Sequence, residues 1–257
     1  MQQRAKWTLG VTLALGIGSA WVWATNGHTA SPNSVDEDRE IADSLATMLR
    51  SGRNVISRNQ ELINNPAIGD KGLTGKKVLE EAVKLYETAM QKEPGAIPQD
   101  TRLGKLLRIQ MDAIAEVVDN NQATINHVGV GFKGFIPATF GRLVNETFNK
   151  NAAGEAEMKV TAPPELVRNR KARPDAWEVK VIQTKLLSPS WPKGQLYAAS
   201  DKNKGREAFR VAVPEYYAAS CLSCHGGPKG QIDVTGYPKE GAAEGDLGGV
   251  ISLTLYR

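Results

Sequence analysis

Apolar side chains recur at three- and four-residue intervals through the first half of the chain, then in short alternating or β-branched runs. From Asp36 onward, Ile41, Leu45, Met48, Leu49, Val55, Ile56, Leu62 and Ile63 fall on one stripe, which predicts a long amphipathic helix. Asp36, Glu37, Asp38 and Glu40 crowd its first turn, where the helix dipole favours acids. Asn65-Pro66 ends it, because a residue before proline is pushed out of the helical region. A second helix is expected over Thr74–Gln91, with Val78, Leu79, Ala82, Val83, Tyr86 and Met90 inward. A third spans Leu103–Asn126, with Leu103, Leu107, Met111, Ile114, Val118 and Ile125 inward. A shorter fourth follows Pro137, a favoured first-turn residue.

After about residue 155 the pattern changes. Lys159–Thr161, Trp177–Ile182, Leu196–Ala198, Ala208–Val213 and Val250–Leu255 read as five strands separated by Pro, Gly and Asn. Helices first and strands after is an α+β order with an antiparallel sheet, not an alternating βαβ one. The helical part is placed at about 36–150, the sheet at about 155–257. The first helix also has a stripe that a second copy would cover, giving a homodimer; packing on the next two helices is the competing use of it.

The N-terminus reads as an address. MQQRAK is short and basic, and residues 7–24 carry no charged side chain. One reading is an export signal, with Val22 and Ala24 before the cut. The other is an uncleaved anchor, with Trp21 and Trp23 at the outer interface. Both place everything beyond about residue 30 in the periplasm or its equivalent. Residues 25–35 form a polar linker.

The 257 residues are 41% hydrophobic and 23% charged, which excludes a polytopic membrane protein and a wholly disordered chain. The net charge is +4, and setting aside the two cations Arg4 and Lys6 leaves +2. So small a surplus is weak support for a polyanion, and no nucleic-acid partner is expected. Two cysteines exclude a disulfide-rich scaffold.

Both cysteines lie in one pentapeptide, Cys221-Leu-Ser-Cys-His225. C-x-x-C-H is the haem c attachment pattern. Two thiols three positions apart reach the two vinyl groups of one haem, and the adjacent His225 becomes the proximal iron ligand. Export agrees, because haem c is joined to its protein beyond the membrane. Three other uses compete. A Cys221–Cys224 disulfide closes so short a loop that it stabilises little. A thioredoxin-like motif needs a helix start in a βαβ unit, and Gly226-Gly227-Pro228 interrupts such a helix. A zinc site needs four ligands, which Cys221, Cys224, His225 and His127 would have to supply.

Phe132–Arg142, Val160–Pro163, Arg168-Asn-Arg170, Val213–Tyr217, Cys221–Gly226 and Asp246–Gly249 together resemble a family of exported haem c proteins. That family has a PAS-like domain, was long catalogued as a domain of unknown function and was characterised first in cyanobacteria. The resemblance covers roughly residues 36–257. It implies a long N-terminal helix, a PAS-type antiparallel sheet with haem in its pocket, Cys221 and Cys224 as the covalent attachments, and His225 on iron. Relatives are often fused to signalling domains. Their sixth ligand varies and can be a cysteine, a feature that a chain with two cysteines cannot reproduce.

For the sixth position, His127 is the remaining candidate histidine, since His28 lies in the linker or is removed. A histidine near a helix C-terminus is also explained by the dipole alone. Met48 and Met111 sit on apolar helix faces, where methionine is commonly core filler. An open site that binds a diatomic gas is the third possibility. Lys133, Arg142, Arg210, Tyr216 and Tyr217 lie near the motif by sequence or family pattern and are candidates for the haem propionates; each also has an ordinary structural use open to it. The run Arg168–Arg173 reads better as a solvated loop before a strand than as a docking patch. The eight glycines of Gly226–Gly249 read as close backbone packing around a flat macrocycle.

The expected function is that of a periplasmic protein with one covalently attached haem, sensing redox state or a small ligand. The chain ends at Arg257, straight after the last strand, so such a sensor is expected to act through a signalling or redox partner protein. A single-electron carrier is the alternative, and a peroxidase-like enzyme a more distant one that would need an acid–base group on the distal face. Catalysis is not expected.

Overall fold

The computed structural model describes residues 32–257. The sequence stripe predicted as one helix is divided into α1 (Pro32–Arg58) and α2 (Gln60–Asn64). The third predicted helix is likewise divided into α4 (Arg102–Asn120) and α5 (Gln122–Ile125). An asparagine stands at each break. The Asn59 side chain donates to the Val55 carbonyl at 2.9 Å, and Asn121 donates to that of Val117 at 2.7 Å. At Asn121 the side chain takes the Val117 carbonyl while the amide moves to that of Val118 at 3.1 Å, whereas the Asn59 side chain shares the Val55 carbonyl with its own amide at 3.2 Å. Between them lies α3 (Gly75–Met90), whose N-cap Thr74 accepts from the Lys77 amide. α6 (Pro137–Asn151) begins on the proline.

Four strands follow, β1 (Ala156–Thr161), β2 (Tyr197–Asn203), β3 (Arg206–Tyr216) and β4 (Leu247–Tyr256), antiparallel in the order β1-β4-β3-β2. The fold is α+β, and the sheet has four strands among the described residues, not five. The second predicted strand, Trp177–Ile182, is instead helical: α7 (Ala176–Val181) followed by a wider turn over Ile182–Leu186. The cause is local. Asp175 accepts from the Glu178 amide at 2.9 Å, and Glu178 reaches back to the Asp175 amide at 2.7 Å. This capping box starts a helix irrespective of the β-branched residues behind it. Trp177, Val181 and Ile182 then share the helix face turned to the sheet.

The sheet is covered on both faces, which the alternation along β3 makes visible. Phe209, Val211 and Val213 join the main core with α1, α3, α4 and α6, where Ile41, Leu45, Met48, Leu49, Tyr86, Leu107, Ile114, Phe140 and Phe148 are buried. Arg210 and Ala212 point the other way. Ala212 packs with Val181, Ile182, Leu186 and Val250, and Arg210 lies 4.3 Å over the Trp177 ring and pairs with Asp175 at 2.6 Å. Met48 is core and Met111 packs against it. No helix among the described residues is long and apolar enough to cross a membrane. Residues 1–31, with the predicted signal or anchor, His28 and most of the linker, lie outside the described residues.

Candidate functional site

β3 delivers the site. It pairs with β4 to its last residue, with a register shift at Glu215/Tyr216. Tyr217 is held on the sheet by two backbone bonds. Its amide donates to the Asp246 carbonyl at 2.9 Å and its carbonyl accepts from Gly245 at 2.8 Å. A turn over Ala219–Cys221 leads into α8 (Leu222–His225), so the whole motif occupies one short helical segment just beyond the end of β3. Cys221 and Cys224, three apart on that turn, share a side, are half-buried and carry free thiols. The helix stops at Gly226, where a Cβ would come within 2.6 Å of the Leu222 carbonyl oxygen. Only glycine permits that approach.

His225 is held on two sides. Its ring stacks on Tyr217, with centroids 4.8 Å apart and planes at 26°. Its Nδ1 lies 2.9 Å from Glu240 Oε2 and 3.3 Å from the Tyr217 hydroxyl. Glu240 is carried over the motif by the loop of residues 226–246, whose return is fixed beside His225. The Gly241 amide donates to the Gly226 carbonyl at 3.1 Å, and Ala242 donates to that of His225 at 2.9 Å. Within the loop, Ile232 and Pro238 form a bridge, and Asp233 accepts from the Thr235 amide at 2.7 Å.

Arg168 ties these pieces together. Its Nε donates to Glu240 Oε1 at 2.9 Å and one terminal nitrogen to Glu240 Oε2 at 3.0 Å. The other terminal nitrogen donates to Asp233 Oδ2 at 2.6 Å. The terminal nitrogen that reaches Glu240 also donates to the Cys224 carbonyl at 2.9 Å. Its side chain is 19% exposed. The reading of Arg168–Arg173 as a solvated loop before a strand is therefore corrected at two points: Arg168 is the hub of the site, and the element that follows is α7, while Arg170, Lys171 and Arg173 are exposed as expected. Burial would push the Glu240 carboxyl up, but the bonds from Arg168 and His225 outweigh it and hold it below the usual carboxylate value. Burial acts likewise on Asp233, and the bonds from Thr235 and Arg168 hold it well below. Tyr217 is pushed up to about 12, by burial first and by the Glu240 charge second.

An ionised carboxylate only accepts hydrogen bonds, so the proton in the His225–Glu240 contact sits on Nδ1. In the neutral imidazole of this tautomer, Nε2 carries the free lone pair. Two free thiols on one side of a helical turn, followed by an imidazole oriented this way, are the donor set that covalent haem requires, and the residues fit it. The competing readings fare differently. The thiols are not joined, and the antiparallel sheet supplies no βαβ unit for a thioredoxin-like motif. Among the described residues, no three of His, Cys, Asp or Glu converge as metal ligands, so the four-ligand zinc set is not assembled.

The other candidates are spread over the molecule. His127 lies in a shallow groove with Ala123, Thr124, Val130, Phe132 and Lys133, a set that includes no residue of the Cys221 segment. Lys133 donates to the Ile63 carbonyl at 2.6 Å at the end of α2. Arg142 pairs with Glu146 one turn along α6, and Arg210 with Asp175 at the start of α7. The Tyr216 hydroxyl accepts from the Gly194 amide at 3.0 Å. Tyr217 is the one of these whose described contacts reach the motif. The loop glycines have local causes: Gly230, Gly236, Gly241 and Gly245 adopt positive φ in turns, and Gly248 makes room for Tyr217. Sequence reading missed Asp233, Glu240 and the role of Arg168. The one available signal was the placing of Arg168 in the family pattern.

A family model described as Tll0287-like matches residues 33–255. No curated protein and no solved structure matches the chain.

Proposed function

We propose, from the premise that this chain belongs to the Tll0287-like family, that it is a periplasmic protein with one covalent haem c, sensing redox state or a small ligand and signalling through a partner protein. The observation that carries this reading is the Cys221-x-x-Cys224-His225 turn with both thiols free and His225 oriented by Glu240 and Tyr217. When bound, the haem would supply one-electron chemistry at iron and the capacity to take a small ligand. Cys221 and Cys224 would fix it covalently, and His225 would offer Nε2 to iron. The loop of residues 226–246 would shield the proximal side. We read the four-stranded sheet as PAS-like, with the site just beyond the end of β3. Neither catalysis nor nucleic-acid binding forms part of this reading, and any membrane contact runs through the N-terminal segment.

A single-electron carrier is the second reading, and one observation favours it. Ile232 and Val234, 62% and 61% exposed, stand on the loop that covers the motif. An apolar rim beside a redox centre suits the small, transient interfaces through which electrons pass. Carbon monoxide added to the reduced holoprotein separates the two. A shifted spectrum marks a displaceable sixth ligand and supports ligand sensing. An unchanged spectrum removes the gas-sensing version and leaves redox sensing or electron transfer, and the His127→Ala spectrum then tests that residue as the ligand.

A further inference from the structure

On the haem c reading, we propose that Glu240 is a positioning residue that sets the electron affinity of the iron through His225, and that Arg168 holds it in that role. His225 Nδ1 faces Glu240 Oε2 at 2.9 Å, and the same carboxylate receives Arg168 through both oxygens, at 2.9 and 3.0 Å. Glu240 is 17% exposed, so water does not compete freely for it.

The placement is not a chance surface contact. Glu240 is followed by Gly241 and Ala242, whose amides are bonded to the carbonyls of Gly226 and His225. Arg168 itself is anchored on the Cys224 carbonyl at 2.9 Å. Carboxylate, imidazole and the second attachment cysteine are therefore fixed to one another through backbone and guanidinium. Tyr217 restricts the remaining freedom of the ring by stacking on it.

The charges do not cancel. Arg168 contributes one positive charge against the carboxylates of Asp233 and Glu240, which leaves one negative charge in the cluster that backs His225. A carboxylate that accepts Nδ1–H raises the basicity of the opposite nitrogen as a ligand. A more basic ligand and a nearby negative charge both favour the more positive oxidation state, so the cluster favours ferric over ferrous iron. Glu240 touches neither the iron nor a substrate. It acts through His225.

The test is the midpoint potential of the holoprotein with Glu240→Gln, beside Glu244→Gln as a control that removes a negative charge from an exposed position on the same loop. Glu240→Gln keeps the shape and an oxygen that can accept from Nδ1, but removes the charge. The expected result is at least a tenfold loss of ferric preference, a rise of about 59 mV for a one-electron couple. Glu244→Gln shifts the potential much less. The Fe–His stretching frequency of the ferrous protein, read where the iron is five-coordinate, falls in Glu240→Gln and returns towards the wild-type value in Glu240→Asp. A Glu240→Gln potential equal to that of Glu244→Gln, with haem still attached, overturns the proposal while leaving the haem reading intact. Absence of haem from the wild-type protein overturns the haem reading itself. If Glu240→Gln does not accumulate, the wild-type holoprotein decides: a His225 Nδ1 proton protected from exchange with water supports the bond, and a freely exchanging one contradicts it.

Discussion

Gly248 lies against the ring of Tyr217, so closely that a Cβ at Gly248 would stand 2.5 Å from the ring carbon Cζ and 2.7 Å from Cδ1. Real side chains do not approach that far. The first turn of β4 thus fixes a ring that in turn stacks on His225. A glycine some twenty residues beyond the motif becomes part of the site without touching it.

Gly248→Ala should therefore displace Tyr217 and destabilise the fold by roughly 1–3 kcal/mol, the usual range for overpacking. Removing the ring should relieve the clash. In denaturant unfolding, Gly248→Ala combined with Tyr217→Ala is expected to cost clearly less than the two single changes together. Strict additivity would show that the two residues do not press on each other.

Arg168 is the second point of leverage. Its loss leaves Asp233 and Glu240 without their cation and the Cys224 carbonyl without its donor. Arg168→Ala should lower stability by roughly 3 kcal/mol, as expected for breaking a largely buried pair from one side. Hydrogen exchange should rise first in the loop of residues 226–246. Lysine cannot reproduce the two-pronged contact with Glu240, so Arg168→Lys should recover only part of the loss. Full recovery by lysine would mean that charge alone, and not the fork geometry, holds the loop.

The same cluster gives a pH dependence of defined sign. Burial raises the Asp233 carboxyl, but the bonds from Thr235 and Arg168 outweigh it, so its folded value lies below its unfolded one. Such a group contributes stability that is fully present above the unfolded value, about pH 4, and is lost as the pH falls towards the folded one. Thermal unfolding between pH 7 and pH 2 should show the midpoint falling below about pH 4, and Asp233→Asn should flatten that fall. Equal slopes for the two proteins would contradict the assignment.

Much of this was readable from residue order because its causes are local. The helical stripes around Ile41–Leu49 and Val78–Tyr86 follow from periodicity, and those residues are core. The C-x-x-C-H spacing is visible in five consecutive residues. Trp177–Ile182 is not legible as a helix from its own pattern, because a short β-branched run fits strand and helix alike and the Asp175/Glu178 box at its start decides. The role of Arg168 is hidden in the sequence for a different reason. Its partners Asp233 and Glu240 lie 65 and 72 positions away, so among arginines and lysines it looked like one more solvated charge. Nothing in the local pattern marks Glu240 as facing His225; only the return of the loop over Gly226 places it there.

The central claim is that Cys221, Cys224 and His225 hold a covalent haem. The most direct measurement is to express the protein with haem c maturation machinery, denature it, extract with acidic acetone and record the absorption of the polypeptide as a reduced pyridine haemochrome. The expected result is one haem per chain that stays with the polypeptide and is lost in the Cys221→Ser, Cys224→Ser double variant. A colourless wild-type chain, or colour that extraction removes completely, would contradict the account.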